Sequence, residues 1–449
     1  MNALFVKDRQ FYKTLILLAL PIVAQNMITI AVNIMDTVML GSYGEIQLSG
    51  SSLANEFINI FHILCMGMGG GAAVLTAQYW GAGVRAAIRK TVTIMLRICL
   101  ILVALFSLVT ALFPAQIMSI FTTDSQVIEK GAIYFRWSIP QYLLLGLSLT
   151  LTLVLRSQRK VVVPLVTAIV SFFVNIFCNY VFIFGKFGFP EMQIAGAALG
   201  TVCARLVEVL IIGGYFLWVE KDIGYRIRDL FKPCGDILNR YLTYSMPVVC
   251  SDGLLALGNS MVAIIIGHIG TEFVAANAII ATVVRLSTVF TQGLGQASAT
   301  ITGNTLGEGD REKTYRQGVT MVTLSVFIGL LAGGVILVLA PAIIATYNIN
   351  EITRQVAWQL MYAVSIMVVF QSMQSVLTKG ILRGGGDTRF CMFADVAFLW
   401  IVSIPLGSLS GLVWHASPFA IYICLKLDWA IKSLVCLGRV KSRKWMKRV

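Results

Sequence analysis

Charged side chains are scarce in this sequence. Asp, Glu, Lys and Arg make up 12% of its 449 residues, against 57% hydrophobic, and mean hydropathy is +0.82. Soluble domains carry roughly 25% charged residues. So long and apolar a chain cannot cover itself with polar surface in water, which excludes a soluble globular protein and makes lipid its solvent. Histidine is scarcer still: His62, His268 and His415 are the three present, and they lack metal-ligand spacing. The nine cysteines, Cys65, Cys99, Cys178, Cys203, Cys234, Cys250, Cys391, Cys424 and Cys436, include no CxxC and none in a segment read as external. No disulfide and no metal cluster is expected, and they read as small packing residues. There is no HExxH and no nucleophile–base pair, so no catalytic residue and no enzyme is expected. The glycine run Gly67-Met68-Gly69-Gly70-Gly71 lacks the Gly-Lys-Ser/Thr of a phosphate loop and lies inside an apolar run, where it would allow close helix packing. Gly384-Gly385-Gly386-Asp387 reads as a cytoplasmic turn. With no ATP-binding cassette, uphill work would draw on an ion gradient, and no cofactor is expected.

What is present is length of apolar run. A spanning helix needs about 20 apolar residues. Spans are expected near 13–40, 47–79, 88–113, 128–155, 161–184, 194–218, 240–267, 273–305, 314–340, 353–381, 389–413 and 416–438. The apolar runs are continuous rather than alternating, which excludes a β-barrel. The first is followed directly by more spans, so it reads as a helix and not a cleaved leader. The net charge of +14 would point to nucleic acid in a soluble protein. Here the bases sit in short loops and set topology, so no nucleic-acid partner is expected. Twenty-six of the 35 Lys and Arg fall on one side of the spans and four (Lys130, Arg136, Lys186 and Arg354) on the other. That bias puts both termini in the cytoplasm of a multi-pass inner-membrane protein and requires an even number of helices.

The longest inner loop, about 219–239, is the natural midpoint. An offset of 226 pairs Pro21 with Pro247, Asn33 with Asn259, Gly41 with Gly267, Gly67 with Gly293, Gly69 with Gly295, Gly81 with Gly307 and Gly83 with Gly309. Chance would match roughly one of the glycines in 21–83, since glycine is near 7% of residues. The chain is therefore read as an internal duplication of six spans each. An even number inserts both halves the same way up, as parallel repeats flanking a cavity. The expected fold is all-α: a polytopic membrane protein of twelve transmembrane helices in two parallel six-helix lobes around a central cavity. The lobes are 1–218 and 240–438, joined by the loop 219–239 and followed by a basic cytoplasmic tail, 439–449.

An ionisable residue in hydrocarbon costs about 2.5–3.5 kcal/mol even on an insertion scale, so each needs a reason. In the first span Asn26, Thr29, Asn33 and Asp36 are spaced 3, 4 and 3, one helical face. A polar stripe on a spanning helix faces a wet cavity or another polar helix. The fifth span carries Ser171, Asn175 and Asn179, and the sixth carries Thr201. At about 1.5 Å per residue, Asp36, Asn179 and Thr201 all fall in the outer half of the membrane. A carboxylate, two amides and a hydroxyl at one depth suit a proton or a hard cation such as Na⁺. Offset 226 sends Asp36 to Val262, and offset 227 sends Asn175 to Val402 and Asn179 to Leu406. The constellation belongs to one half, which favours function over architecture. Arg205 with Glu208, and Asp428 with Lys432, read as neutralising pairs on single helices. Asp252 and Arg285 fall at similar depth and are expected to pair, unless Asp252 is a second ionisable site. Met27, Met35, Phe57 and Phe61, with Asn26, Thr29, Asn33 and Asp252, are candidate substrate-cavity residues, adaptable and apolar enough for organic compounds.

The segments LALPIVAQNMITIAVNIMDTVMLG, AQYWGAG, LRSQRKVVVP, NIFCNYVFIFGKFGFP, AGAALGT and LRGGGDTRF together resemble the multidrug and toxic compound extrusion (MATE) family over essentially the whole chain. The resemblance implies alternating access between two lobes, and export of organic, often cationic, amphipathic compounds in exchange for H⁺ or Na⁺. The family's helix 1 coupling aspartate matches Asp36, and its helix 5 polar pair matches Asn175 and Asn179. Some members have aspartate at the second of these positions; Asn179 here leaves Asp36 as the main titratable group. Acids that some members carry in helices 7 and 10 correspond to Leu255 and Ser372, so no cation site is transferred to the second half. The resemblance further implies small-molecule substrates, a lipid surround and a monomer. A flippase for lipid-linked precursors shares the architecture. It would need cavity bases, and the intramembrane ones are Arg97, Arg205, Arg285, Lys426 and Lys432, mostly beside acids.

Overall fold

The computed structural model describes residues 5–347 and 349–448. They are helical with no strand: α1 (Arg9–Tyr43), α2 (Glu45–Gly81), α3 (Arg85–Leu112), α4 (Pro114–Phe121), α5 (Ser125–Ser157), α6 (Val162–Phe184) and α7 (Ile194–Gly214). After a loop come α8 (Gly235–Ile269), α9 (Thr271–Glu308), α10 (Arg311–Ala345), α11 (Glu351–Gln374), α12 (Thr388–Ala397), α13 (Ile404–Ser408), α14 (Pro418–Leu425) and α15 (Leu427–Lys441). Side-chain caps start several of them. Asp124 accepts from the N–H groups of Gln126 and Val127, Asp310 from Lys313 and Asn350 from Thr353; each satisfies donors that a helix start leaves free.

Among the described residues eleven helical stretches are long and apolar enough to cross a bilayer, and each covers one of the first eleven expected spans. The twelfth, expected at 416–438, is in two pieces, α14 and α15, because Lys426 leaves the helical region at φ −118 and ψ 13. The break frees the N–H of Asp428, which donates to Ser403 Oγ at 2.7 Å, and that hydroxyl donates back to Asp428 Oδ1 at 3.0 Å. A neighbouring helix thus satisfies the new helix start. The short α4, with Pro114 at its first turn, was not expected. Four stretches wind as π-helix: Tyr215–Val219, Ser375–Leu382, Phe398–Ser403 and Leu409–Val413. Pro405 lies between the last two and offers no N–H to the carbonyl four residues back, which shifts the winding there.

The chain forms two compact units. One is Ala24–Val249; the other is the chain up to Val23 together with Cys250 onward. Both divisions fall two residues beyond a proline inside a helix, Pro21 in α1 and Pro247 in α8, where the intrahelical ladder is already broken. The 24–249 unit has an aromatic core. Phe61 stacks edge-on against Tyr142 with ring centroids 5.1 Å apart and lies 5.3 Å from Phe106, while Phe57 meets Phe135 at 5.8 Å. The other unit has an aliphatic core in which Val262, Ile279, Ile280, Leu360, Met361 and Val364 are buried together.

The stretch 439–449, expected as a basic tail, is anchored by the buried Val440, Trp445 and Met446, while 441–444 and 447–448 are exposed; Val449 lies outside the described residues. Trp445 is fully buried, donates through its ring N–H to the Val440 carbonyl at 3.0 Å, and lies where a side chain on Gly385 would be, 2.2 Å from an added Cβ. Arg439 and Lys447 hold the Asp387 carboxylate at 2.7 and 2.6 Å. In the turn after the π-wound end of α11, Gly385 leaves room for this indole, Gly384 lies against the Ala299 backbone and Gly386 takes φ +85.

Candidate functional site

Within the 24–249 unit, α6 and α7 pack closely because α7 opens on small residues, AGAALG. A Cβ at Gly196 would sit 2.5 Å from the Phe182 carbonyl oxygen. At Gly200 it would sit 2.0 Å from Asn179 Oδ1. The absent side chain at Gly200 is therefore what lets the Asn179 amide stand upright between α6 and α7.

From there Asn179 reaches Asp36. Its Nδ2 donates to Asp36 Oδ1 at 2.5 Å and to Asn175 Oδ1, one turn earlier on α6, at 3.4 Å. Asn175 and Asn179 are buried at 1% and 0% exposure, and Asp36 is half-buried. Two polar atoms of the pair, Asn179 Oδ1 and Asn175 Nδ2, have no hydrogen-bond partner among the described residues. A buried amide atom left unmatched costs about 1–3 kcal/mol.

Three of the four coupling residues expected from sequence therefore meet directly. The fourth, Thr201, is next to Gly200, but its hydroxyl donates within α7 to the Ala197 carbonyl at 3.0 Å and not to Asp36. Thr201 lies close to the Tyr134 hydroxyl, which exchanges hydrogen bonds with Asn55 at 3.3 and 3.4 Å. Tyr134, Asn55 and Gly200 were missed. For Tyr134 and Asn55 no spacing within one helix signals the contact, because it depends on how α5 packs against α2 and α7. Arg205, one turn after Thr201 on the same face, was read only as half of a pair. The pair is present: Arg205 binds both Glu208 carboxylate oxygens at 2.8 and 2.9 Å, and Ser148 and Ser171 donate to the same group at 2.9 Å each. Arg205 also stands within electrostatic reach of Asp36.

The candidate cavity residues divide. Asn26, Met35 and Phe57 are half-buried, and Met27, Thr29 and Asn33 are exposed. Thr29 donates to the Gln25 carbonyl at 3.0 Å, and Asn26 keeps a buried Nδ2 without a partner among the described residues. Phe61 is a correction: it is fully enclosed by the aromatic core, a packing position with no face left for a ligand.

In the other unit Asp252 is also corrected. It does not pair with Arg285 but with Arg383, at 3.1 Å. Depth along two helices left the partner open, and the π-wound end of α11 brings Arg383 to α8 instead. Arg383 lies 3.9 Å from Asp395; Asp395 binds Lys432 at 3.1 Å and accepts from Ser251 at 2.9 Å; Lys432 reaches Asp428 at 3.5 Å. The expected Asp428–Lys432 pair is thus one link of a chain of three acids and two bases. Among the described residues no cluster of three or more His, Cys, Asp or Glu is arranged to hold a metal ion.

The MatE family model matches the chain twice, over residues 21–181 and 247–409. The second match begins 226 residues after the first, the offset of the sequence repeat. A protein of Thermotoga maritima, named a probable multidrug resistance protein NorM, is 26% identical over 444 residues, covering 97% of this chain and 93% of its own. The multidrug resistance protein MdtK of Pectobacterium atrosepticum is 25% identical over 413 residues, 88% of this chain and 86% of its own. A solved structure described as the outward-facing conformation of a multidrug resistance MATE family transporter of the MOP superfamily superposes with a TM-score of 0.86 at 18% identity, covering 98% of this chain and 99% of that one. That likeness establishes the fold; the apolar helices and the two relatives make the chain a multi-pass membrane protein.

Proposed function

The chain belongs to the MatE family, and from that membership we propose that it is a secondary active multidrug exporter. It moves organic, often cationic, amphipathic compounds outward by alternating access of its two six-span halves, 1–218 and 240–438, in exchange for H⁺ taken up at Asp36. It works as a monomer in the inner membrane with both termini cytoplasmic, as the Lys and Arg bias favours, and makes no covalent change to its substrate.

The observation that carries the proton reading is the direction of the hydrogen bonds. A hard cation such as Na⁺ needs several oxygens converging on it. Here Asn179 turns a donor toward Asp36, its own oxygen faces Gly200, and the Thr201 hydroxyl is engaged within its helix. An ionised Asp36 fits that arrangement. A protonated Asp36 becomes a donor and needs an acceptor opposite. Rotation of the Asn179 amide supplies its Oδ1, and Asn175 can then donate its Nδ2 to the same oxygen. Those are the two atoms that now lack partners. One proton thus inverts a three-residue hydrogen-bond chain joining α1 to α6. Ionised Asp36 attracts a cationic substrate to the outward-open cavity; its protonation removes that attraction and shifts α1, and the substrate leaves.

A flippase needs free bases to hold a pyrophosphate. Three of the five intramembrane bases are engaged, Arg97 by the carbonyls of Leu230 and Lys232, Arg205 by Glu208 and Lys432 by Asp395, and the two without an ion pair among the described residues, Arg285 and Lys426, lie on separate elements, which favours the exporter reading. The test is ethidium efflux from proteoliposomes with a pH gradient and a Na⁺ gradient imposed separately. A pH gradient should drive wild-type efflux, a Na⁺ gradient alone should not, and Asp36→Asn should be inactive at normal expression. Wild-type efflux from that variant would remove Asp36 as the coupling group, and drive by Na⁺ alone would remove the proton.

A further inference from the structure

The loop between α7 and α8 does not hang in the cytoplasm. It is strapped along the first four turns of α3. The Thr93 hydroxyl meets the Tyr225 hydroxyl at 3.1 Å and donates to the Asp229 carbonyl at 3.2 Å. Arg97 donates to the carbonyls of Leu230 and Lys232, both at 2.7 Å. Lys90 binds Asp236 at 2.5 Å. At the loop's other end Lys160 holds Glu220, and Asp222 at 2.7 Å.

The strapping sets a depth. α3 has 28 residues, about 42 Å at 1.5 Å per residue, against a hydrocarbon core of about 30 Å. Centred in the bilayer, each end of the helix stands about 6 Å clear of the hydrocarbon. Thr93 lies eight residues, about 12 Å, inside the start of α3, so the strapped loop reaches the boundary between headgroups and acyl chains. The loop carries the side chains such a boundary takes. Phe231 is 81% exposed, Trp218 79% and Ile227 64%, with Arg226, Arg228 and Lys232 exposed among them.

Under the strap is a cavity lined by Arg89, Lys90, Thr93, Asp229, Lys232 and Cys234 among others, of about 340 Å³. Asp229 is engaged within the loop, by Lys232 at 2.5 Å and by the Arg226 N–H at 2.9 Å. Arg89 makes no direct hydrogen bond or ion pair among the described residues, which leaves one unpaired guanidinium at the cavity beside two ammonium groups, Lys90 and Lys232, each shared with one carboxylate.

We propose that this cavity binds the phosphate headgroup of an anionic phospholipid of the cytoplasmic leaflet, with Phe231, Ile227 and Trp218 seated among its acyl chains. Amphipathic segments with aromatic and basic side chains lie in this plane, and basic pockets on the cytoplasmic side take anionic headgroups. The leaflet assignment rests on the topology given above; the headgroup chemistry does not, nor does it depend on what is exported.

The experiment is lipid retention by native mass spectrometry of the full chain released from mixed phosphatidylglycerol and phosphatidylcholine. Wild type should keep phosphatidylglycerol in preference by about fivefold, the effect of one unpaired basic group, and Arg89→Gln with Lys232→Gln should lose it. Phe231→Ser should weaken retention of both lipids with the charge intact. Arg311→Gln, an exposed base on α10, should change nothing and serves as the folding-neutral control. Equal retention of the two lipids by wild type, or an unchanged preference in the double variant, would overturn the proposal. So would thermal stabilisation by inorganic phosphate equal to that by phosphatidylglycerol, which would make the cavity a free-anion site.

Discussion

Gly200→Ala is the sharpest test of how the Asp36 site is built, because it adds one methyl group and touches no functional side chain by identity. The new Cβ would lie 2.0 Å from Asn179 Oδ1, 3.0 Å from its Cγ and 3.1 Å from its backbone nitrogen. The backbone is fixed by α6, so the amide must leave. It then gives up the 2.5 Å hydrogen bond to Asp36. A hydrogen bond to a charged group contributes about 1.5–3 kcal/mol, roughly ten- to 150-fold in the population of the ordered site. Proton-driven ethidium efflux in proteoliposomes should fall by at least about tenfold on that basis, close to the effect of Asn179→Ala. Thermal stability in detergent should fall too, by about the 1.5–3 kcal/mol of the lost hydrogen bond, so efflux is compared at equal amounts of folded protein. Gly213→Ala on the same helix is the control. There the nearest neighbour would be Val209 Cγ1 at 3.9 Å, ordinary contact, and efflux should be unchanged. Wild-type efflux from Gly200→Ala would refute the argument that the amide's position, and not merely its presence, couples the site.

Two further outcomes are expected. Lys432→Met should lower stability by about 3–5 kcal/mol, because Asp395, 1% exposed, loses its 3.1 Å ammonium partner and keeps only the Ser251 hydroxyl at 2.9 Å and Arg383 at 3.9 Å; thermal unfolding in detergent measures it. Adding Asp395→Asn should restore most of the loss, and an undiminished double variant deficit would show that the lysine acts by packing. The strapped loop should hold from neutral pH to about pH 5 and loosen below about pH 4, near the ordinary carboxylate value, as read by amide exchange protection in 220–234. The Lys160 ammonium beside Asp222 holds that carboxyl below its usual range; burial pushes Asp229 up, but the Lys232 ammonium and the Arg226 N–H outweigh it. Carboxyls depressed in the folded state stabilise it above their unfolded values, and that contribution disappears as pH falls through the folded ones. Protection already lost between pH 7 and 5 would contradict this assignment.

The spans were legible because bilayer thickness imposes a length on apolar runs, and the one that differs shows the limit. Nothing in the run 416–438 is too short or too polar to span; it breaks at Lys426 because Ser403, on another helix, can satisfy Asp428 there. Asp36, Asn175 and Asn179 were legible from spacing and depth, two quantities a single helix fixes. Thr201 shows where such reasoning stops: depth placed it correctly, but a threonine hydroxyl in a helix can bond back to its own chain, and this one does. The choice of Arg383 over Arg285 for Asp252 likewise turns on packing, which depth does not encode.

The asymmetry between the halves has a physical root beyond the loss of polar residues. The repeat sends Asp36 to Val262, and Val262 is 4% exposed within the aliphatic cluster of its unit, packed with Ile265, Ile266 and Ile280. A carboxylate at that position would have no donor opposite and no water. In the 24–249 unit the corresponding place is bounded by an amide that a glycine admits. Divergence of the cores, aromatic in one unit and aliphatic in the other, therefore decides which copy of the repeat can hold a carboxylate at this position. A single aspartate restored at Val262 should destabilise that unit rather than add a second coupling site.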